Sequence, residues 1–457
     1  MSKLKKKVVI IGGGLTGLST AFFLKRKGID ILVVEKENRL GGQIHTFKKD
    51  GFVFESGPNT GVVSYPEIVE MFNELSGKCK MDVANEEAKK RLIWKGKKFH
   101  ALPAGLASAI TTPLFSFSDK IRILGEPWRS KGTNPDESVA GIAARRLGKS
   151  FVDYAVDPFL SGVYAGDPNR LVTRYALPKL YNLEQNYGSF IRGTMAKMKE
   201  VKSERDKLAT KKVFSASGGL NSLVDALGEY IGKDNIITGA TSTKVMPSGD
   251  SAGCWKVSFM HNGEIYEIES ENVVTTTGSY CLPEILPFIG EDLMGRINNL
   301  FYAPIVQAAV CFSNETLNDF QVFGGLIPSK EKKDILGILN PSACFDGRAK
   351  GNGNTLAIFM GGVRHQDFID KTDKELEDIV MKNLQTMLGI KSSPDIIKFF
   401  RHKRAIPQYE INSGERFEAI AEAEKQYKGL YIKGNLCGGI GMGDRIHQAY
   451  LTAENIQ

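Results

Sequence analysis

A chain of 457 residues with 42% hydrophobic and 25% charged residues and a mean hydropathy of -0.19 is long enough for two or three domains with sizeable cores, and no apolar run in it reaches bilayer-spanning length. Six scattered cysteines without C-x-x-C spacing argue against a zinc site or a redox pair and predict free thiols in a reducing, cytoplasmic setting. The net charge of +8 suits a polyanionic small molecule or an anionic membrane surface, and without an aromatic-and-basic module nucleic acid is not expected as a partner.

Lys3 to Lys7 is basic, but only Val8 to Ile11 follows before the glycines, so no signal peptide is expected. Val8 to Ile11 instead predicts a short strand buried on both faces. Gly12, Gly14 and Gly17 then spell G-x-G-x-x-G, whose glycines serve a tight turn, close backbone approach to a pyrophosphate, and close packing of helix on strand. The helix predicted over Leu15 to Lys27 aims its free N–H groups and the positive end of its dipole at that pyrophosphate, and Gly28 stops it. A second strand, Ile31 to Val34, ends at Glu35, whose carboxylate can accept both ribose hydroxyls and would repel a 2'-phosphate, so NADP is disfavoured despite Lys36. The nucleotide alone leaves NAD and FAD open.

The next two turns are Arg39-Leu40-Gly41-Gly42 and Phe54-Glu55-Ser56-Gly57-Pro58-Asn59-Thr60. An R-x-G-G after the acidic ribose residue, followed by E-x-G-P, resembles the flavin-containing amine oxidase superfamily, and the resemblance implies FAD. It places cofactor contacts at Gly12, Gly13, Gly14, Leu15, Thr16 and Gly17, at Glu35, Lys36, Arg39, Gly42 and Gln43, and at Gly57, Pro58, Asn59 and Thr60.

Pro66 to Leu75 has the apolar spacing of one helical face, with Pro and Glu at its start. Arg91 to His100 predicts a hairpin turning at Gly96, and Ala101 to Leu106 breaks it. From Ser108 to Thr210 the signals are largely helical, with a helix starting near Asn134 to Val139. Asp157-Pro158-Phe159-Leu160-Ser161-Gly162-Val163-Tyr164-Ala165-Gly166-Asp167-Pro168 is apolar and turn-rich. This block, with H-A-L-P-x-G-L, D-E-S-V, R-R-L-G and Tyr187-Gly188-Ser189, is similar to the flavoprotein protoporphyrinogen or coproporphyrinogen oxidases of haem synthesis, and matching blocks run from residue 8 to residue 450. Met195 to Lys212 is strongly basic and reads as a solvated helix or surface connection, with docking on an anionic bilayer as the alternative.

Ser222 to Tyr230 predicts a helix, and Ile236 to Val245 by resemblance returns to the FAD-binding part, with the Val245 backbone at the adenine edge. Trp255 to Phe259 and Glu264 to Ile268 alternate as hairpin strands about Asn262-Gly263, and Val273 to Thr277 resembles a further nucleotide-domain strand. Pro304 to Phe312, Gly337 to Asn340 and Thr355 to Met360 are assigned to an antiparallel sheet flooring a substrate cavity. Lys374 to Leu388 is an amphipathic helix. In Arg401 to Tyr409, His402 stands where many relatives carry a Trp near the isoalloxazine, which adds a titratable ring there. Leu430 to Asn435 is a strand and turn, and Gly438 to Asp444 leads into a helix through Leu451 that Asp444 can cap. By resemblance Ile440, Gly441, Met442 and Asp444 put that helix's N-terminus at the flavin. Gly443 departs from the Pro or Asn of relatives.

The resemblance implies an α/β fold: a Rossmann-like FAD-binding domain with a mixed or parallel sheet (1–75, 211–285 and 395–457), a discontinuous α+β substrate domain (76–107 and 286–394) and a helical subdomain (108–210). It implies six-electron oxidation of protoporphyrinogen IX or coproporphyrinogen III by FAD, O2 as acceptor giving H2O2, and hand-off of product to a ferrochelatase, with the protein cytoplasmic or peripheral on the inner membrane face. Flavin chemistry accounts for the lack of a catalytic triad, metal cluster or paired acids in the pattern. Arg91 matches a propionate-pairing arginine, and Phe323, Gly324 and Leu326 match ring-contacting positions, with Phe159 and Leu160 as neighbours. Two alternatives remain at this level: an amine oxidase of the same superfamily, against which A-I-P-Q-Y and G-V-Y-A-G-D-P argue, and a non-catalytic escort protein of the GDP-dissociation-inhibitor kind, which has no need of intact phosphate-loop glycines.

Overall fold

A computed structural model describes residues 4–103, 105–248, 254–315 and 317–457. Ala104, within the predicted break after the hairpin, lies outside them. Two seven-stranded sheets carry the fold. The first runs in the order Ile236–Ile237, Ile31–Val34, Leu4–Ile11, Glu264–Thr275, Trp255–His261 and Thr241–Pro247, with Leu430–Ile432 also paired to Glu264–Thr275. Its centre is parallel. Val8 and Ile10 point into one core with the Leu15–Arg26, Asn221–Ile231 and Met442–Asn455 helices, while Val9 and Ile11 point into a second with Leu282, Ile285 and Ala419. That two-sided burial is why the strand reads as unbroken β-branched residues.

The two short strands expected at 264–268 and 273–277 are one continuous strand, Glu264–Thr275. Its first half pairs antiparallel with Trp255–His261 and its second half parallel with Leu430–Ile432, while Leu4–Ile11 bridges the two halves.

The second sheet has the order Ile396–Pro407, Tyr302–Phe312, Asn354–Gly361, Gly337–Leu339, Gly324–Leu326, Arg91–Lys95 and Lys98–Ala101. Helix Asp373–Leu388 covers it through Leu376, Val380 and Leu384. The strand Ile396–Pro407, expected with the cofactor segments, pairs along its length with Tyr302–Phe312 and so belongs to this sheet.

Between the sheets' contributions lies the helical segment, which includes Phe117–Leu124, Val139–Leu147, Asp157–Val163, Pro178–Tyr187 and Phe190–Lys199. A π-helical turn, Val152–Val156, leads directly into Asp157–Val163. The basic run after Met195 is helical only to Lys199, and a short Glu204–Lys207 turn then docks Arg205 onto Glu67 and Glu70 at 2.8 and 2.7 Å. Within the segment, Glu126 and Glu184 are buried against Arg146. Glu126 also accepts from Ser189 Oγ and from the N–H groups of Phe190 and Ile191, so a buried carboxylate caps the Phe190–Lys199 helix. Among the described residues, no helix is long and apolar enough to cross a membrane.

Candidate functional site

Three separated pieces of chain meet at the carboxyl ends of the parallel strands, where open α/β sheets form their ligand crevices. The first is the glycine turn. Gly12 has φ of +109°, a value open to glycine, and its N–H donates to Val34 O at 2.9 Å. A Cβ at Gly17 would run into the Gly12 carbonyl oxygen, so the helix seats on the strand only through a hydrogen atom. Gly14 is the opposite case. It is extended, and a Cβ there would meet nothing nearer than Gly42 Cα at 3.9 Å, so its face is open. The Leu15–Arg26 helix that starts beside it has no side-chain cap, and Leu15, Thr16 and Gly17 form its first turn.

Glu35 closes the second strand, buried, with its carboxylate accepting the Gly13 N–H at 2.5 Å and the Glu37 N–H at 2.8 Å. Lys36 extends into solvent and lies 3.8 Å from Glu37. Arg39 directs its guanidinium to the carbonyls of Leu40, Gly42 and Ile44, at 3.1, 2.8 and 3.0 Å, and so shapes the R-L-G-G turn itself. Gly42 has φ of +58°, and a Cβ at Gly57 would strike the Gln43 carbonyl oxygen, so the second piece packs directly on this turn. In that piece Asn59 Nδ2 donates to Gly57 O at 2.9 Å, holding the Gly57-Pro58-Asn59-Thr60 bend. His402 reaches it as well: its Nε2 lies 2.6 Å from Ser56 O, and because a carbonyl can only accept, that nitrogen carries the hydrogen.

The third piece is the loop before the C-terminal helix. Tyr409 Oη donates to Asn435 O at 2.8 Å and accepts the Gly439 N–H at 3.2 Å, while Arg445 and Gln448 bind Cys437 O at 2.9 and 3.0 Å. Burial pushes the Tyr409 hydroxyl far up, so it stays protonated. Ile440, Gly441 and Met442 follow, and Asp444 Oδ2 accepts the Gly441 N–H at 3.1 Å. The glycine at 443 has a local cause: a Cβ would stand 2.9 Å from Val62 O. Val245 is buried in Thr241–Pro247, the outermost strand of its sheet.

The residues fit an FAD. Gly14 leaves a cradle that a side chain would fill, the helix beyond it lacks a cap, and Thr277 Oγ1, on the residue that packs against Gly12, is buried without a partner.

The second sheet supplies the other wall. Gly324 and Leu326 lie beside Arg91 and Ile93 in parallel register. Arg91 is exposed, its guanidinium 5.5 Å from the Phe323 ring centroid, with no acidic partner among the described residues. Phe323 packs against the Ala88, Cys344 and Phe345 core, as does Val213, which pairs with Val62, two residues past Thr60. Leu326 packs with Ile93, Phe115 and Tyr154, and a Cβ at Gly162 would lie 2.5 Å from it. The Asp157–Val163 helix thus stands between Leu326 and the cofactor loop. Phe159 is 41% exposed, but Leu160 is fully buried against Tyr164 and Tyr409 with Ile440 alongside. Adjacent residues point about 100° apart on a helix, so Leu160 serves the core rather than an open chamber.

Sequence reasoning missed Glu55 and Arg348. Their 3.1 Å ion pair is buried, Glu55 also accepts the Leu220 N–H and Thr46 Oγ1, and Gln307 Nε2 donates to Glu55 O at 2.8 Å, tying the E-S-G-P turn to the second sheet. Glu55 was legible as part of its motif, whereas nothing local marks Arg348 as its partner.

Comparison with known proteins agrees with this architecture. The chain is 28% identical to protoporphyrinogen oxidase 2, chloroplastic/mitochondrial, of Arabidopsis thaliana, over 98% of this chain and 93% of that one. It is 26% identical to coproporphyrinogen III oxidase of Bacillus subtilis, over 98% and 97%. A crystal structure from Exiguobacterium sp. 255-15, provisionally described as a protoporphyrinogen oxidase, superposes with a TM-score of 0.80 at 21% identity, covering 100% of this chain and 99% of that one. Residues 15–456 match the family described as flavin containing amine oxidoreductase. The chain therefore belongs to the flavin containing amine oxidoreductase family, and it is an FAD-dependent oxidoreductase.

Proposed function

We propose that the protein is a porphyrinogen oxidase, oxidising protoporphyrinogen IX or coproporphyrinogen III to the aromatic porphyrin with O2 as the electron acceptor. The observation that carries this reading is Arg91: a guanidinium without an acidic partner among the described residues, lying over the Phe323 ring beside an apolar wall, suits a large apolar disc edged with carboxylates. The full-length likeness to enzymes named for the two porphyrinogens supports it. When bound, FAD supplies the hydride-accepting chemistry. The chain's own residues bind and orient: Arg91 anchors a propionate, Phe323 and Leu326 face the macrocycle, and the E-S-G-P and C-terminal turns hold the cofactor against it.

Lys95 plays a structural part as well, since its Nζ donates to the carbonyls of Pro113 and Leu114 at 2.7 and 3.0 Å. The reading extends to a peripheral membrane position. Phe117, Ile121 and Leu124 lie on one helix with more than half of each side chain exposed, and Trp128 beyond them is 78% exposed. Such a position would let an apolar product pass to a ferrochelatase. Parallel oxygen-uptake and porphyrin-fluorescence assays on the two porphyrinogens test the proposal. Turnover of either supports it and ranks the substrates, and no turnover of both by flavin-loaded protein refutes it.

A further inference from the structure

Behind the start of the C-terminal helix, a layer of side chains decides where Asp444 points. Its Oδ2 accepts the Gly441 N–H at 3.1 Å, and its Oδ1 accepts the Tyr65 hydroxyl at 3.4 Å. Tyr65 is held in turn by its surroundings. Its ring lies parallel to the His447 imidazole, with centroids 3.9 Å apart and planes 3° apart, and Lys179 Nζ sits 4.9 Å from the same ring centroid. His447 Nδ1 is 3.4 Å from Glu67, whose other oxygen accepts from Arg205 at 2.8 Å. Burial, and after it the Asp444 carboxylate, push the Tyr65 hydroxyl up to about 12, so it remains a donor through the neutral range.

A carboxylate in the first turn of a helix is drawn to the free N–H groups there. In this helix the next two belong to Met442 and Gly443, at the N-terminus where the cofactor reading puts the flavin, a group that gains negative charge on reduction. A loose Asp444 would compete for those donors and repel that charge across a few ångströms of low-dielectric space. We propose that Tyr65 is a positioning residue that keeps the flavin's reduction potential high by pinning the Asp444 carboxylate away from the cofactor. The inference rests on the cofactor reading of the C-terminal turn.

The test measures midpoint potentials by dye-coupled reduction of the holoenzyme for wild type, Y65F, D444N and the double variant, with flavin content read from absorbance. Y65F keeps the ring on His447 and removes only the hydroxyl. It should retain FAD while the ratio of reduced to oxidised flavin at a fixed potential falls about tenfold, equivalent to about 30 mV for a two-electron couple. In the D444N background the same change should have no effect. A Y65F potential equal to that of wild type, an equal drop in the D444N background, or loss of flavin from Y65F would overturn the proposal. Wild-type protein that takes up no FAD would remove the site reading itself, and the proposal with it.

Discussion

Gly14 and Gly17 stand one helical turn apart, and a side chain at each fails for a different reason. At Gly14 the backbone is extended and the surrounding space open, so Gly14→Val should fold, melt like flavin-free wild type and purify colourless, because the new side chain fills the pyrophosphate cradle. At Gly17 the added Cβ meets the Gly12 carbonyl, so Gly17→Val should cost about 1–3 kcal/mol of stability in addition to the flavin. Thermal melts with and without FAD separate the two outcomes. Arg91→Ala should leave flavin content untouched and raise KM for the porphyrinogen about tenfold, the loss of one charge-assisted hydrogen bond. An unchanged KM would remove Arg91 from the substrate wall.

Elements carry the electrostatics. In the helical segment burial works to raise the Glu126 carboxyl, but hydrogen bonds from Ser189, the Phe190 and Ile191 N–H groups and Arg146 outweigh it and hold the group below its ordinary value. Glu184 is held down in the same way, with Arg145 foremost among the groups that outweigh its burial. Carboxyls lowered in the folded state contribute stability that is present above their unfolded value of 4.5 and lost as pH falls through the folded one. Far-UV circular dichroism on acidification should therefore show the helical segment loosening below about pH 4.5, and Arg146→Met, which leaves the buried Glu126 without its cation and Glu184 with Arg145 alone, should destabilise by about 3–5 kcal/mol. The Phe117–Leu124 helix buries none of its residues, so its apolar face contributes little to folding. Replacing Phe117 and Trp128 with serine should leave the melting temperature within a degree or two while weakening sedimentation with anionic vesicles severalfold.

At the scale of the whole molecule, the proposed FAD site draws on pieces of chain far apart in sequence, so FAD should behave as a stabilising ligand. At a hundredfold excess over Kd it should add about 2.7 kcal/mol, visible as a concentration-dependent melting temperature. The first β-α-β unit was legible because its constraints are local: each glycine answers to a neighbour within a few residues or one strand away. The Ile396–Pro407 strand was misplaced because sheet membership is a long-range choice, made by pairing with Tyr302–Phe312. Leu160 was read with Phe159 because both lie in one apolar block, and only helical geometry separates them. The Glu55–Arg348 and Glu126–Arg146 pairs span 293 and 20 residues, and no spacing rule connects such partners.

Ile446, Ala449 and Ala453 of the last helix share one core with Val8, Ile10 and Leu18 of the first unit. During synthesis, the opening unit keeps that surface uncovered until the Met442–Asn455 helix has emerged. A chain that stops short of the Met442–Asn455 helix would leave one side of the core beneath the glycine turn bare, so removing that helix should cost flavin retention as well as stability.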